Sequence, residues 1–255
     1  MQHRLNLGVR GHDMPCNTPE ELANILGKIG ASHVQLALKK SFPDIVTSPA
    51  ALTPAFGHAI RTALEAKNCR VSVLGCYIDP VHPDPAVRQE NLDWFKANLR
   101  FAKYLGADMV GTETGALSDL EKTYSEENFQ VLLSSVRELT DFAEKIGSIV
   151  AIEPVWGGTL YSPELAQRLL GEINSPCLRL IYDPVNLANS ADIDDQHQLM
   201  DRMYRCCGDA IILLHLKDFV MENGAKHCRL ASDGVLDYDY LFDLVLKYTP
   251  YIDGI

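Results

Sequence analysis

The feature that most constrains this chain is alternation. Short aliphatic or β-branched runs recur at 5–9, 33–38, 71–77, 109–112, 149–152, 178–182, 211–214 and 251–255, and between them lie segments whose apolar residues repeat at helical spacing. Strand–helix–strand units imply parallel strands, because a parallel pair needs a crossover long enough to hold a helix.

The helical segments carry legible ends. Asp84-Pro85 is an N-cap followed by proline at the first helical position, where the missing N–H costs nothing. Leu92, Phe95, Leu99 and Ala102 then share one face, and Gly106 is the stop. Ser125 caps the next helix, with Glu126 and Glu127 at the positive end of its dipole and Gly147 after the stripe from Phe129 to Ile146. Ser162-Pro163-Glu164 repeats the opening, with Gly171 closing the apolar run; further helices are expected over 19–28, 49–67, 195–207 and 238–247.

Seven complete units and an eighth strand favour closure into a single TIM (β/α)8 barrel domain over 1–255, a length that suits this architecture. The rival, an open doubly wound sheet, usually carries a glycine-rich phosphate turn after its first strand. Here that turn reads Arg10-Gly-His-Asp-Met-Pro, and no linker or low-complexity tract divides the chain.

Charge narrows the partners. With 23 Lys+Arg against 34 Asp+Glu, the net charge is −11, and no basic run offers a footprint for nucleic acid or an anionic membrane. Seven cysteines, an odd count without CxxC spacing, suit reduced thiols in a cytoplasmic protein. The start, Met1-Gln-His-Arg, reads straight into a strand rather than a signal peptide, and no run approaches the ~18 apolar residues of a membrane span.

In such barrels the active site lies at the C-terminal ends of the strands. Reading those ends yields Glu113, Glu153, Asp183 and His215. Glu153, Asp183 and His215 are each about one strand–helix unit apart, so they occupy matching depths on successive strands and should converge. Any one of them alone reads more simply as a helix cap or loop partner. Three ionisable groups together at the end of an apolar core would be costly without a shared partner, and two carboxylates with one imidazole suit Mn²⁺, Mg²⁺, Co²⁺ or Zn²⁺.

The runs Ala-Ile-Glu-Pro-Val, Ile-Tyr-Asp-Pro-Val-Asn-Leu and Leu-His-Leu-Lys-Asp resemble the xylose isomerase-like TIM barrel superfamily, and most closely its sugar phosphate isomerase/epimerase branch, which includes the ketose 3-epimerases. The resemblance implies a metal-dependent isomerase acting on a small sugar or sugar phosphate, with one divalent ion, Mn²⁺ foremost. Its Glu, Asp and His ligands after the fifth, sixth and seventh strands map onto Glu153, Asp183 and His215. The family's fourth ligand, a Glu after strand eight, has no match among these 255 residues, which end within the presumed eighth strand. The family's chemistry makes Glu153 both ligand and general base, with the strand-eight Glu as its partner. Epimerisation by proton transfer and isomerisation by hydride shift both stay open, and a homo-oligomer is implied as possible.

Other residues are candidates with plainer readings beside them. Asn186 stands where ketose 3-epimerases often carry a substrate-binding His, or caps a loop. Lys217 and Asp218 contact sugar hydroxyls or phosphate, or form a local ion pair. Glu113, flanked by Thr112 and Thr114, binds a hydroxyl or only hydrogen-bonds locally. Trp156 stacks on a sugar face or is buried under the loop. His82, in a proline-stiffened turn, and His12 follow strands three and one, while Lys226 and Arg229 are the phosphate candidates. His3, His33, His58 and His197 read as structural. Two alternatives stand: a DNA-repair nuclease of the endonuclease IV type, disfavoured by the acidic charge and scarce histidines, and a barrel that binds sugar without turnover.

Overall fold

A computed structural model describes residues 5–46, 48–189 and 195–255; His3 and the rest of the opening Met1-Gln-His-Arg lie outside them. The alternation becomes a ring of parallel strands. The first strand is broken at Gly8 into β1 (Asn6–Leu7) and β2 (Val9–Arg10), followed by α1 (Pro19–Ile29), β3 (His33–Leu36), α2 (Leu38–Ser41), α3 (Pro54–Glu65) and β4 (Arg70–Gly75). The middle of the chain supplies α4 (Pro85–Leu105), β5 (Met109–Glu113), α5 (Leu120–Thr123), α6 (Glu126–Ile146), β6 (Val150–Glu153), α7 (Pro163–Ile173) and β7 (Leu178–Tyr182). Next come α8 (Pro184–Leu187), α9 (Gln196–Cys207), β8 (Ile211–Leu214), a hairpin of β9 (Asp218–Glu222) and β10 (Ala225–Arg229), α10 (Tyr238–Tyr248) and β11 (Asp253–Gly254).

The barrel order is β1-β11-β8-β7-β6-β5-β4-β3-β2, and since β1 and β2 are consecutive the ring closes on itself. Gly8 sits at that seam, where its N–H donates to the Gly254 carbonyl at 2.8 Å. Only glycine fits there. A Cβ on residue 8 would lie 2.4 Å from the His33 ring and 2.5 Å from the His33 carbonyl oxygen. His33 is fully buried and bonded at both ring nitrogens, to Ser32 Oγ at 3.0 Å and the Gly254 carbonyl at 3.2 Å, which bears out its structural reading.

Strand parity sorts the side chains. Val34, Leu36, Leu74, Val110, Val150, Ile152, Leu180, Tyr182 and Leu214 belong to the large core between strands and helices. Val73, Met109, Ala151, Ile181 and Leu213 form a separate small cluster inside the barrel. The positions two or four residues beyond that inner cluster, or between outward neighbours, are Gln35, Tyr77, Glu113, Glu153, Asp183 and His215. A period of two therefore aims all six at the barrel mouth.

Helix ends follow the sequence with two differences. Gly106 and Gly147 are left-handed C-caps at φ 71° and 67°, as predicted. The stretch 49–67 divides, because Pro54 cannot continue a preceding helix and Thr53 Oγ1 instead caps α3 by accepting the Phe56 N–H at 3.2 Å. Helix α7 runs past Gly171 to Ile173 and ends on Asn174 at φ 50°, asparagine being the other residue that tolerates this cap. No helix among the described residues is long and apolar enough to cross a membrane.

Candidate metal centre

Glu153 ends β6, Asp183 follows β7 and His215 follows β8, so three adjacent strands deliver three side chains to one spot. They are the group of His, Cys, Asp or Glu residues among the described ones whose ligand atoms lie within 4.8 Å of one another. His215 Nδ1 is 3.1 Å from Glu153 Oε2 and 4.0 Å from Asp183 Oδ2. All three are buried, at 3%, 1% and 9% exposure for Glu153, Asp183 and His215.

Asn186 joins them. Pro184 opens the short α8, Asp183 caps it by accepting the Asn186 N–H at 2.8 Å, and the turn brings the amide side chain back over the site. Its Nδ2 donates to Glu153 Oε1 at 2.6 Å, and its Oδ1 accepts from Lys217 Nζ. Lys217 also approaches Asp183 Oδ2 at 2.9 Å. His215 Nε2 is buried without a hydrogen-bond partner.

The charges respond to this crowding. Burial is the largest influence on Glu153 and acts upward, yet the charge and hydrogen bond of His215, with Asn186 and Lys217, hold its carboxyl below the usual range. Burial also acts first on His215, downward, and is outweighed by Glu153 and Asp183, so the imidazole holds its proton more tightly than usual. For Asp183 burial prevails over Lys217, and its carboxyl is raised. Two buried anions are thus balanced by one imidazolium and one ammonium, so a divalent cation bound here would take the place of the imidazole proton. A divalent cation fits: the ligand atoms converge, and His215 Nε2 is a buried nitrogen without a hydrogen-bond partner.

The remaining candidates separate. Glu113 pairs in register with Glu153 across β5 and β6 and lines the same cavity, of ≈ 1030 Å³, as the triad, Asn186, Lys217 and Arg229. Burial, then the Glu153 charge, raises its carboxyl. Trp156 is not among the lining residues; its ring packs with Tyr124 and Tyr161, at 5.8 and 6.0 Å between centroids. His82 is also outside the lining and shapes its own turn, where its Nδ1 accepts the Asp84 N–H at 3.2 Å. Lys217 and Asp218 do not pair with each other. Asp218 Oδ1 accepts the N–H groups of Phe219 and Leu236 at 2.8 and 2.9 Å, pinning the hairpin base.

That hairpin is what sequence reading passed over as a loop, although Asn223-Gly224 between two short runs is the strongest short-range hairpin signal. Both turn residues have positive φ, 54° and 77°. The hairpin accounts for the two basic candidates: Lys226 Nζ donates to the Val185 and Ala188 carbonyls, and Arg229 pairs with Glu222 across the strands at 2.7 Å. Tyr77 and Gln35 were also missed. The alternation through Val73 and Gly75 would have found Tyr77.

A family profile described as Xylose isomerase-like TIM barrel matches residues 28–254. The chain belongs to that family. No curated protein matches it in sequence. Among solved structures, this xylose isomerase-like barrel is similar to a D-tagatose 3-epimerase-like protein, with a TM-score of 0.77 at 14% identity over 98% of this chain and 90% of the other. It is also similar to D-psicose 3-epimerase in the presence of D-fructose, at 0.74, 12% identity, and 98% and 84% coverage. The IOLI protein with a bound zinc atom gives 0.74 at 17% identity, covering 98% and 87%. Identities this low establish the shared fold, and function has to be argued from the site itself.

Proposed function

We propose that this xylose isomerase-like barrel is a divalent-metal-dependent isomerase or epimerase of a small sugar, with Glu153 as its base. The convergence of Glu153, Asp183 and His215 at the mouth carries the reading. When bound there, the cation supplies Lewis acidity that polarises a sugar carbonyl and acidifies the neighbouring C–H. The chain's own residues provide the rest. Glu153 is kept ionised by its neighbours, so it can accept a proton, and Asn186 Nδ2 fixes its orientation. Lys217 and Glu113 line the same cavity, where they can hold sugar hydroxyls.

Mn²⁺ is our proposed ion, since one imidazole among carboxylates suits it; a structural neighbour with a bound zinc atom supports metal binding on this fold. The engagement of Lys226 with carbonyls and of Arg229 with Glu222 favours a sugar over a sugar phosphate. Seven free cysteines support a reducing, cytoplasmic setting.

The test incubates Mn²⁺-loaded protein with D-fructose, D-tagatose and D-psicose in D₂O and follows exchange by NMR. Deuterium entering next to the carbonyl, lost on chelation and in Glu153→Gln, is the expected result. Conversion without deuterium uptake would point to hydride shift, and loss of water from the sugar to an elimination on the same base. Absence of both metal binding and any sugar turnover would sink the proposal.

A further inference from the structure

The mouth has a second wall. Counting around the closed ring, β4 stands four strands from β8 in either direction, so Tyr77, which follows β4, faces His215 across the barrel. Tyr77 lines the cavity shared with Glu113, Glu153 and Asp183 and is 36% exposed into it and the adjoining side cavity.

Its ring is held on several sides. Lys40 Nζ sits 3.9 Å from the ring centroid, and the His12 ring meets it edge-on at 6.4 Å and 82°. Gln35, buried to 2% exposure, donates from Nε2 to the Tyr77 hydroxyl oxygen at 2.8 Å. This direction matters. The phenol oxygen accepts from Gln35, so its own proton remains to be donated elsewhere. Burial, followed by the negative charges of Glu153 and Glu113, keeps that proton on the oxygen. A surface tyrosine has no need of a buried amide, a cation and an imidazole to fix it, whereas a preorganised donor does.

We propose that Tyr77 is a specificity-determining hydrogen-bond donor for a substrate oxygen on the side of the mouth opposite His215, with Gln35 as its positioning residue. The ligand class is a polyhydroxylated carbonyl compound long enough to reach from the metal centre to the far wall. This inference rests on the sugar reading above and deepens it. Since the contact is remote from the proposed proton transfer, its loss should fall mainly on KM rather than kcat.

The experiment measures turnover of D-fructose, D-tagatose and D-psicose by the Mn²⁺-loaded protein, their binding by saturation-transfer NMR, and Mn²⁺ affinity. Tyr77→Phe deletes one oxygen and keeps the ring beneath Lys40. The expected result is a fall in kcat/KM of roughly 10-fold, carried by KM, with Mn²⁺ affinity unchanged; the Gln35 amide left without its acceptor lowers Tm, and Gln35→Leu in the same background restores it. Gln35→Leu should give a smaller loss that disappears in the Tyr77→Phe background, because it acts through the phenol. An unchanged kcat/KM in Tyr77→Phe, or a loss shared by Mn²⁺ affinity, overturns the role of Tyr77 while leaving the sugar reading intact. Wild-type protein that binds Mn²⁺ but neither binds nor converts any of the three ketoses overturns both.

Discussion

Asp183→Asn should make the metal-free protein no less stable while abolishing its response to metal. In the wild type, a cation that binds only the folded chain stabilises it by ~2.7 kcal/mol at a hundredfold excess over Kd. For a domain of this size that corresponds to a Tm rise of about 5–10 °C. Asp183 Oδ2 is one of the three converging ligand atoms, and an amide there removes a ligand charge at the cost of the Lys217 ion pair at 2.9 Å, which burial of the carboxylate outweighs. Oδ1 is different: it accepts the Asn186 N–H at 2.8 Å, and the asparagine oxygen can keep that cap.

The sign for the metal-free state follows from the raised Asp183 carboxyl. A buried acid whose pKa is raised destabilises the fold wherever it is ionised, a penalty present above the folded pKa and absent below the unfolded one. Neutralising it at pH 7 should therefore leave stability unchanged or raise it by about 0.5–2 kcal/mol, the scale of a single stabilising substitution. Paired thermal or urea melts, in chelator and in excess Mn²⁺, read both quantities. A large loss of stability in chelator, or an intact Mn²⁺-dependent rise in the variant, would refute the electrostatic account of the site.

Three further outcomes can be checked. Asn186→Ala, which strips the amide from Glu153 Oε1 and from Lys217, should weaken Mn²⁺ binding by roughly 10- to 100-fold in a calorimetric titration. Metal must displace the proton that Glu153 and Asp183 hold on His215 against burial, so Mn²⁺ affinity should begin to fall at a pH above 6.5 as the solution is acidified. The same raised imidazole stabilises the metal-free fold fully below pH 6.5 and loses that contribution as pH rises through its folded pKa, so chelated protein should melt lower on the alkaline side. Gly8→Ala drives a methyl into the His33 ring and carbonyl at the barrel seam and should cost about 1–3 kcal/mol by urea unfolding, without altering Mn²⁺ affinity in the folded protein.

Much of this molecule is local in origin and so was legible in the sequence. The caps at Asp84, Ser125 and Ser162, the left-handed stops at Gly106 and Gly147 and the eight strand runs are decided by residues within a few positions of one another. Repetition of one strand–helix unit then carried Glu153, Asp183 and His215 to a common depth. Tyr77 and Gln35 were equally written in the alternation. Neither is charged at neutral pH, so charge at strand ends does not single them out, and a phenol and an amide acquire significance only once a cavity faces them.

What the tertiary structure alone decided is how each charge is used. Lys217 pairs with Asp183 of the adjacent strand instead of with its neighbour Asp218, and Asn186 becomes the hub between Glu153 and Lys217. The β9–β10 hairpin sets Lys226 against the Val185 and Ala188 carbonyls and Arg229 against Glu222, and Trp156 packs with two tyrosines. Spacing along a chain determines which way a side chain points from its own strand. Its partner is set by the distance to groups far away in sequence, and in a closed barrel those distances exist only after β1 and β2 meet β11 and β3 around the ring.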